Sequence, residues 1–344
     1  PPPPPPPPPS YRPPPPPRST PDYIRRQRQM CIRDSTDPYR WNRSDGSSTL
    51  WIDMISELGQ FARDAEPHLS DELPGEVAMV LPQTLQLSAF NAYSIEAQQK
   101  AVRALFYGSR ASAYAVGEHQ IGLLGNPKLI LLPSPWMLSQ PAWEGLLDAV
   151  RGGAKLLVTG RFDLDEHFRP TGRHREVGID YEGQILETRE NFVRWPEGEG
   201  WFSFSGDKTT FIDQAVLASG HTFTRQDVGA GEILFFSLPL ELSDDIQLLA
   251  DVYSWALREA GVEPIYATDL DDPGIVFSPT VLDKGTLYVV ASESSVSRNV
   301  IFRDLRSDRQ VEIDLDPGRV ALLLVTTDGD IPALYDPRTV GPNR

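Results

Sequence analysis

From residue 74 to residue 262 the chain alternates short, almost unbroken apolar runs with stretches of helical periodicity, and this pattern constrains its fold most. Glu76-Val77-Ala78-Met79-Val80-Leu81, Ala111 to Val116, Lys128-Leu129-Ile130-Leu131-Leu132, Lys155 to Thr159 and Glu232 to Leu238 read as five strands. A strand that is apolar at nearly every position is buried on both faces. Helices are expected between them. One runs from about Ser94 to Tyr107, with Ile95, Val102, Leu105 and Phe106 inward. A second follows Ser139 as N-cap with Pro141 in its first turn, buries Trp143, Leu146, Leu147 and Val150, and ends at Gly152-Gly153. A third is capped by Ser243, carries Asp244 and Asp245 at the positive end of its dipole, turns Ile246, Leu249, Tyr253 and Leu257 inward, and ends at Gly261.

Strands and helices in this alternation specify an α/β fold with a parallel sheet covered on both faces, flavodoxin-like or class I amidotransferase-like. Only residues 161–228 are less regular. From Glu263 the apolar period changes to two. Leu287 to Val290, Val300 to Phe302, Val311 to Leu315 and Ala321 to Val325 are short strands separated by turns such as Leu305-Arg306-Ser307-Asp308 and Asp316-Pro317-Gly318. Residues 263–337 therefore read as a small antiparallel β-sandwich, with a tail over 338–344. Upstream, Trp51, Ile55, Leu58, Ala62 and Ala65 fall on one face of a helix that stops before Pro67. With no strand ahead of it, that helix reads as the last element of a body that precedes it.

Residues 1–35 are not expected to fold. Two proline runs, Pro1 to Pro9 and Pro13 to Pro17, favour extended polyproline II and are followed by a basic segment. Such runs also suit SH3-type grooves. The string from Arg26 to Ser35, RQRQMCIRDS, resembles translated sequencing-adapter read-through of the kind found at broken ends of assembled metagenomic sequences, so native sequence is expected to begin near Thr36. The formal charge of −16 disfavours nucleic-acid and anionic-membrane partners. The single cysteine, Cys31, excludes an internal disulfide and a cysteine metal site, and leaves cytoplasm and periplasm both open. Hydrophobic residues at 40% and charged residues at 23% suit a soluble globular chain, and no run approaches the roughly 18 apolar residues of a membrane helix.

No residue is assigned a catalytic, cofactor-binding or metal-binding role. Gly229-Ala230-Gly231-Glu232 precedes a strand and lacks the third glycine of a dinucleotide loop. The turn after Leu132 is Pro133-Ser134-Pro135-Trp136; it has no cysteine, and the flanking prolines suit a rigid strand exit better than a nucleophile elbow at Ser134. The histidines His68, His119, His167, His174 and His221 are scattered. Asp163, Asp165, Glu166, His167 and His174 make the densest set of ligand types, and read as a solvated loop because no His pair has i, i+4 spacing. Asp269, Asp271 and Asp272 read as a linker, since Pro273 follows and the distal Glu of a calcium loop is absent. Trp41, on a loop just upstream of the first helix, has a ring that could stack on a sugar but reads better as a packing residue. Phe90, Tyr93, Trp136, Met137 and Phe162 lie near strand ends, where loops are normally polar, and so either cover the core or meet a partner.

The segment from Pro127 to Leu138, the helix after it, Gly152 to Gly160 and Asp163 to His167 resemble the trimerisation domain of β-galactosidases of glycoside hydrolase family 42. Gly229 to Glu232 leading into Leu238-Pro239-Leu240-Glu241 is similar to that domain's last strand. Residues 263–337 look like the family's small C-terminal β domain, and Arg43-Ser44-Asp45-Gly46-Ser47 with the helix after it (36–73) resembles the close of its (β/α)₈ barrel. The resemblance implies a retaining glycosidase whose two catalytic Glu lie on barrel strands outside this sequence. It also implies a homotrimer, a galactoside bound by that barrel, no cofactor, and a non-catalytic role for this chain in oligomerisation and support. A free-standing amidotransferase-like enzyme, to which the missing elbow cysteine is unfavourable, and a small-molecule-binding module with its ligand at the C-terminal sheet edge are the alternatives.

Overall fold

The computed structural model describes residues 50–335, apart from 72, 74, 109, 187, 188 and 206–212. The proline runs, Cys31, Trp41, the Arg43-to-Ser47 stretch and the tail from 338 lie outside the described residues. Residues 60–341 form one compact unit that contains every described strand; in the other unit the described residues, 50–59, are helical.

The elements run α1 (Leu50–Ala65), β1 (Val77–Leu81), α2 (Asn91–Gly108), β2 (Ala113–Gly117), β3 (Leu129–Leu132), α3 (Gln140–Arg151) and β4 (Lys155–Thr159). Then come β5 (Tyr181–Ile185), β6 (Glu190–Trp195), β7 (Gly198–Ser203), β8 (Asp213–Leu217), β9 (Phe223–Val228), β10 (Gly231–Phe236) and α4 (Ile246–Glu259). The remainder is β11 (Tyr266–Ala267), β12 (Ile275–Leu282), β13 (Gly285–Ser292), β14 (Arg298–Asp304), β15 (Gln310–Leu315), β16 (Val320–Thr326) and β17 (Ala333–Tyr335).

All five expected strands of the first part enter one sheet, in the order β2-β1-β3-β4-β10-β9. The first five are parallel, and β9 closes the edge antiparallel to β10. Alternate residues of each strand serve opposite layers, as the pleat requires. Val77, Met79, Leu129, Leu131, Leu157, Leu234 and Phe236 join one core with α2 and α4. Ala78, Val80, Ile130, Leu132, Leu156, Val158, Ile233 and Phe235 join another with α3.

The helices depart from expectation in detail. On α2, Ile95 is 42% exposed, and the buried face is Ala97, Ala101, Ala104 and Leu105. Small residues let α2 approach α4 closely, while Trp255 of α4 packs edge to face on Phe223 and Phe236 of β9 and β10. On α1, Ile55 and Ala62 are exposed; the packed face is Phe61 and Ala65, against Leu282, Leu287, Leu324 and Ala333. Helix α4 is capped by Asp245, whose Oδ1 accepts from the Leu248 N–H at 3.0 Å, not by Ser243, which the short turn Leu240–Leu242 holds outside the helix. Ser139 occupies the N-cap of α3 without a side-chain cap; its own N–H donates to Glu118.

Residues 161–228 hold five strands, more than expected. β5 pairs with β8, β6 with β7, and β9 with β10, all antiparallel. The last part is a sandwich of β11-β14-β15 against β12-β13-β16-β17 around Tyr266, Phe277, Tyr288, Val290, Phe302 and Leu323. Its β12, unanticipated, contains Pro279, which an edge strand tolerates because one N–H is missing only on the open side.

Candidate functional site

In a doubly covered parallel sheet the loops after the strands converge at the C-terminal edge, where ligands commonly bind. Here Ser134 stands two residues beyond β3, Thr159 ends β4, Glu241 lies in the turn five residues beyond β10, and Tyr253 reaches in from α4. The Glu241 carboxylate gathers the other three. Oε2 accepts from Ser134 Oγ at 2.6 Å and from Thr159 Oγ1, and Oε1 accepts from the Tyr253 hydroxyl at 2.7 Å. The Ser134 N–H also donates to Thr159 Oγ1 at 3.0 Å. Burial raises the Glu241 carboxyl above its ordinary range, against the pull of the three hydroxyls. Burial, and then the Glu241 charge, hold the Tyr253 hydroxyl well above a usual phenol.

Ser134 has φ +43°, a left-handed conformation of the kind a nucleophile elbow imposes. Its surroundings do not make it one. Every side chain of the cluster is at most 1% exposed, all three hydroxyls point at one carboxylate, and among the described residues no imidazole hydrogen-bonds to any of them. The arrangement is a tie between strand exits and α4, sealed from any substrate. A second buried carboxylate, Glu118, does the same for neighbouring loops: it accepts from the Thr84 N–H at 2.7 Å, Thr84 Oγ1 at 2.6 Å and the Ser139 N–H at 2.5 Å.

Above this floor lies an aromatic rim. Phe90 and Trp136 meet edge to face at 4.8 Å, Tyr93 lies 5.7 Å from Trp136, and Phe168 lies 5.6 Å from Phe90. Phe168 is 43% exposed, and Leu87, three residues before Phe90 in the chain, 82%. Met137 and Phe162, grouped with these residues in the sequence, are instead fully buried.

The loop of Asp163 to His174 is not solvated throughout, contrary to expectation. Asp163 is buried, held by a two-pronged bond from Arg161 at 2.9 and 3.0 Å and by the Tyr181 hydroxyl at 3.0 Å. Burial raises its carboxyl, but Arg161 and Tyr181 outweigh that and hold it below its ordinary value. His174 is 5% exposed and stacks 4.3 Å from Tyr181 with neither ring nitrogen hydrogen-bonded. Asp165 caps its own turn through the His167 and Arg169 N–H groups, both at 2.8 Å. Among the described residues no group of His, Cys, Asp and Glu has metal-binding geometry. Asp271 accepts from the Tyr107 hydroxyl, and Asp272 pairs with Arg298 and bonds the Gly274 N–H. Gly229 (φ +65°) turns β9 into β10 where a Cβ would sit 2.8 Å from the Arg151 backbone, so this glycine pair packs a hairpin and cradles no phosphate.

No family model matches the sequence, and no curated protein matches it either. Solved structures do. Gan42B, a GH42 β-galactosidase from G. stearothermophilus, superposes in its catalytic-mutant form with a TM-score of 0.60 at 14% identity, over 85% of this chain and 46% of its own. The β-galactosidase of Bacillus circulans sp. alkalophilus gives 0.59 at 16% identity, over 78% of this chain and 44% of its own. The polyextremophilic β-galactosidase of the haloarchaeon Halorubrum lacusprofundi gives 0.56 at 16%, over 82% and 44%. The fold is that of part of a GH42 β-galactosidase. The chain spans less than half the length of each of these proteins. The resemblance drawn from Pro127 to Leu138, Gly152 to Gly160 and Gly229 to Glu241 is thus matched by the fold. Sequence reasoning passed over the Glu241 cluster, although a charged residue inside Leu238-Pro239-Leu240-Glu241-Leu242 is itself a signal of a buried polar role.

Proposed function

We propose that the chain is the non-catalytic C-terminal portion of a β-galactosidase-like glycoside hydrolase, serving oligomerisation and support. The observation that carries this reading is the unequal coverage: most of this chain superposes on less than half of each solved β-galactosidase. In this reading residues 36–73 close a catalytic barrel, 74–262 form a flavodoxin-like trimerisation domain and 263–337 a supporting β domain. The order 2-1-3-4-5 of the five parallel strands supports the flavodoxin-like description. The sealed state of Ser134 supports a structural role over an amidotransferase-like one. The galactoside and the two catalytic carboxylates belong to the barrel. The aromatic rim of Phe90, Trp136 and Phe168, with Leu87, supplies the apolar surface for self-association; a three-fold ring would join it to a different patch on the next copy. Two measurements test this. The chain should not turn over a chromogenic galactoside, and light scattering across micromolar concentrations should give three times the monomer mass. Turnover abolished by changing one Glu between 36 and 344 would overturn the non-catalytic reading, and a monomer throughout would overturn self-association.

A further inference from the structure

The β6–β7 hairpin presents two unlike faces. Its back, Val193, Trp195 and Phe202, is buried in the same core as α4. Glycines allow the close fit: a Cβ at Gly200 would sit 2.7 Å from Leu248, and one at Gly198 2.5 Å from Trp195. The turn Pro196-Glu197 is fastened to α4 by Arg258, which donates to Glu197 at 2.6 Å. The hairpin is therefore a rigid mount and not a loose arm.

Its outer face is built in three cross-strand rows. Phe192 lies opposite Trp201, with Glu190 opposite Ser203 on one side and Arg194 opposite Glu199 on the other. Trp201 is 60% exposed and Phe192 37%, with ring centroids 5.2 Å apart. Arg194 covers Phe192 at 5.6 Å and pairs with Glu199 at 2.8 Å, leaving Trp201 as the open ring. Glu199 also borders a polar groove of about 270 Å³ between the hairpin and α4, shared with Glu197, Asp251, Ser254 and Arg258.

We propose that the outer face of this hairpin, centred on Trp201 and Phe192, binds a neutral saccharide. An indole ring offers a negative π-face to the positive C–H face of a pyranose. Charged rows about two residues away along each strand, some 7 Å, stand where the equatorial hydroxyls of a stacked sugar reach. The groove beyond Glu199 extends that hydrogen-bonding surface for a second ring. The chain's charge of −16 and the carboxylates around the platform repel acidic glycans, which selects an uncharged one. The choice of a sugar over another flat ligand rests on the glycosidase-related reading above; the platform's geometry does not. Aromatic residues and arginine also suit a protein interface, so the test separates the two.

The test is affinity electrophoresis of the full chain in gels containing neutral β-linked galactan, glucan or mannan, with polygalacturonate as the anionic control. The expected result is retardation by a neutral polysaccharide and none by polygalacturonate. Trp201→Ala should weaken it about tenfold or more and Trp201→Phe much less, with urea midpoints close to wild type because the ring is largely exposed and only its edge contact with Phe192 is lost. No retardation of the wild type by any neutral polysaccharide would overturn the proposal, as would equal retardation of Trp201→Ala or equal retardation by polygalacturonate. Light scattering on the same variant supplies the other arm: a fall in mass for Trp201→Ala would make this face a contact between copies. Neither readout depends on galactoside turnover, so failure here leaves the accessory reading standing.

Discussion

Replacing Glu241 by alanine removes, in one step, the acceptor shared by three buried hydroxyls. Ser134 Oγ and Thr159 Oγ1 lie 3.3 Å apart and can turn toward each other, so they recover part of the loss. The Tyr253 hydroxyl has no second partner among the described residues and is stranded, at a cost of about 1–3 kcal/mol. A small void adds about another 1 kcal/mol, while relief of the buried charge returns roughly as much, for a net loss of about 1–3 kcal/mol. Glu241→Gln keeps the shape and one carbonyl acceptor, and serine and threonine hydroxyls can rotate to accept from its amide, so its loss should be about 1 kcal/mol at low pH. The two variants also differ in pH response. Burial holds the wild-type carboxyl above its ordinary 4.5, so the folded chain binds more protons than the unfolded one over the interval between the two values. Wild-type stability therefore falls, relative to Glu241→Gln, as pH rises through that interval, and the deficit of the glutamine variant shrinks. Urea titrations followed by circular dichroism at pH 4 to 8, with unchanged slopes, give these quantities. A Glu241→Ala midpoint equal to wild type, or a glutamine deficit that grows with pH, would refute the reasoning.

Burial holds the His174 imidazole below its ordinary 6.5, so the unfolded chain takes up a proton first and stability is lost as pH drops below 6.5. His174→Phe, which keeps the stack on Tyr181, should remove that part of the acid sensitivity in thermal melts between pH 7.5 and 5. Ala101 is fully buried where α2 faces α4, and Ala101→Leu should cost about 1–3 kcal/mol in urea, whereas Ile95→Ala on the exposed side should cost well under 1 kcal/mol.

What the sequence disclosed follows from where each element sits. β3 is buried at all four positions, so Leu129 to Leu132 announces a central strand without ambiguity. β9 is an edge strand with Arg225 and Asp227 turned outward, and its polar spelling, Phe-Thr-Arg-Gln-Asp-Val, hides it. The buried face of α2 is not the one hydrophobicity selects, because that property weights Ile95 over Ala97, whereas a helix pressed against another selects for small volume. Pro279 masked β12 because its tolerance depends on an edge position, which only tertiary structure decides. For Glu241 the apolar neighbours signal burial, but its partners are not legible: they are 107, 82 and 12 residues away, and no local pattern brings them together.

The pleat of the central sheet also makes it a partition. Phe235 belongs to the α3 side and Phe236 to the α4 side, with nothing but backbone between the two compartments. A void opened at Leu156 can be refilled only by residues such as Trp143, Leu146 or Ile233, and enlarging Leu157 next to it offers no rescue. The two halves of every strand are thus free to drift in sequence along separate histories, each answerable only to the helices on its own side. Second-site suppressors of a core lesion should keep to the same parity along the strand as the lesion they repair.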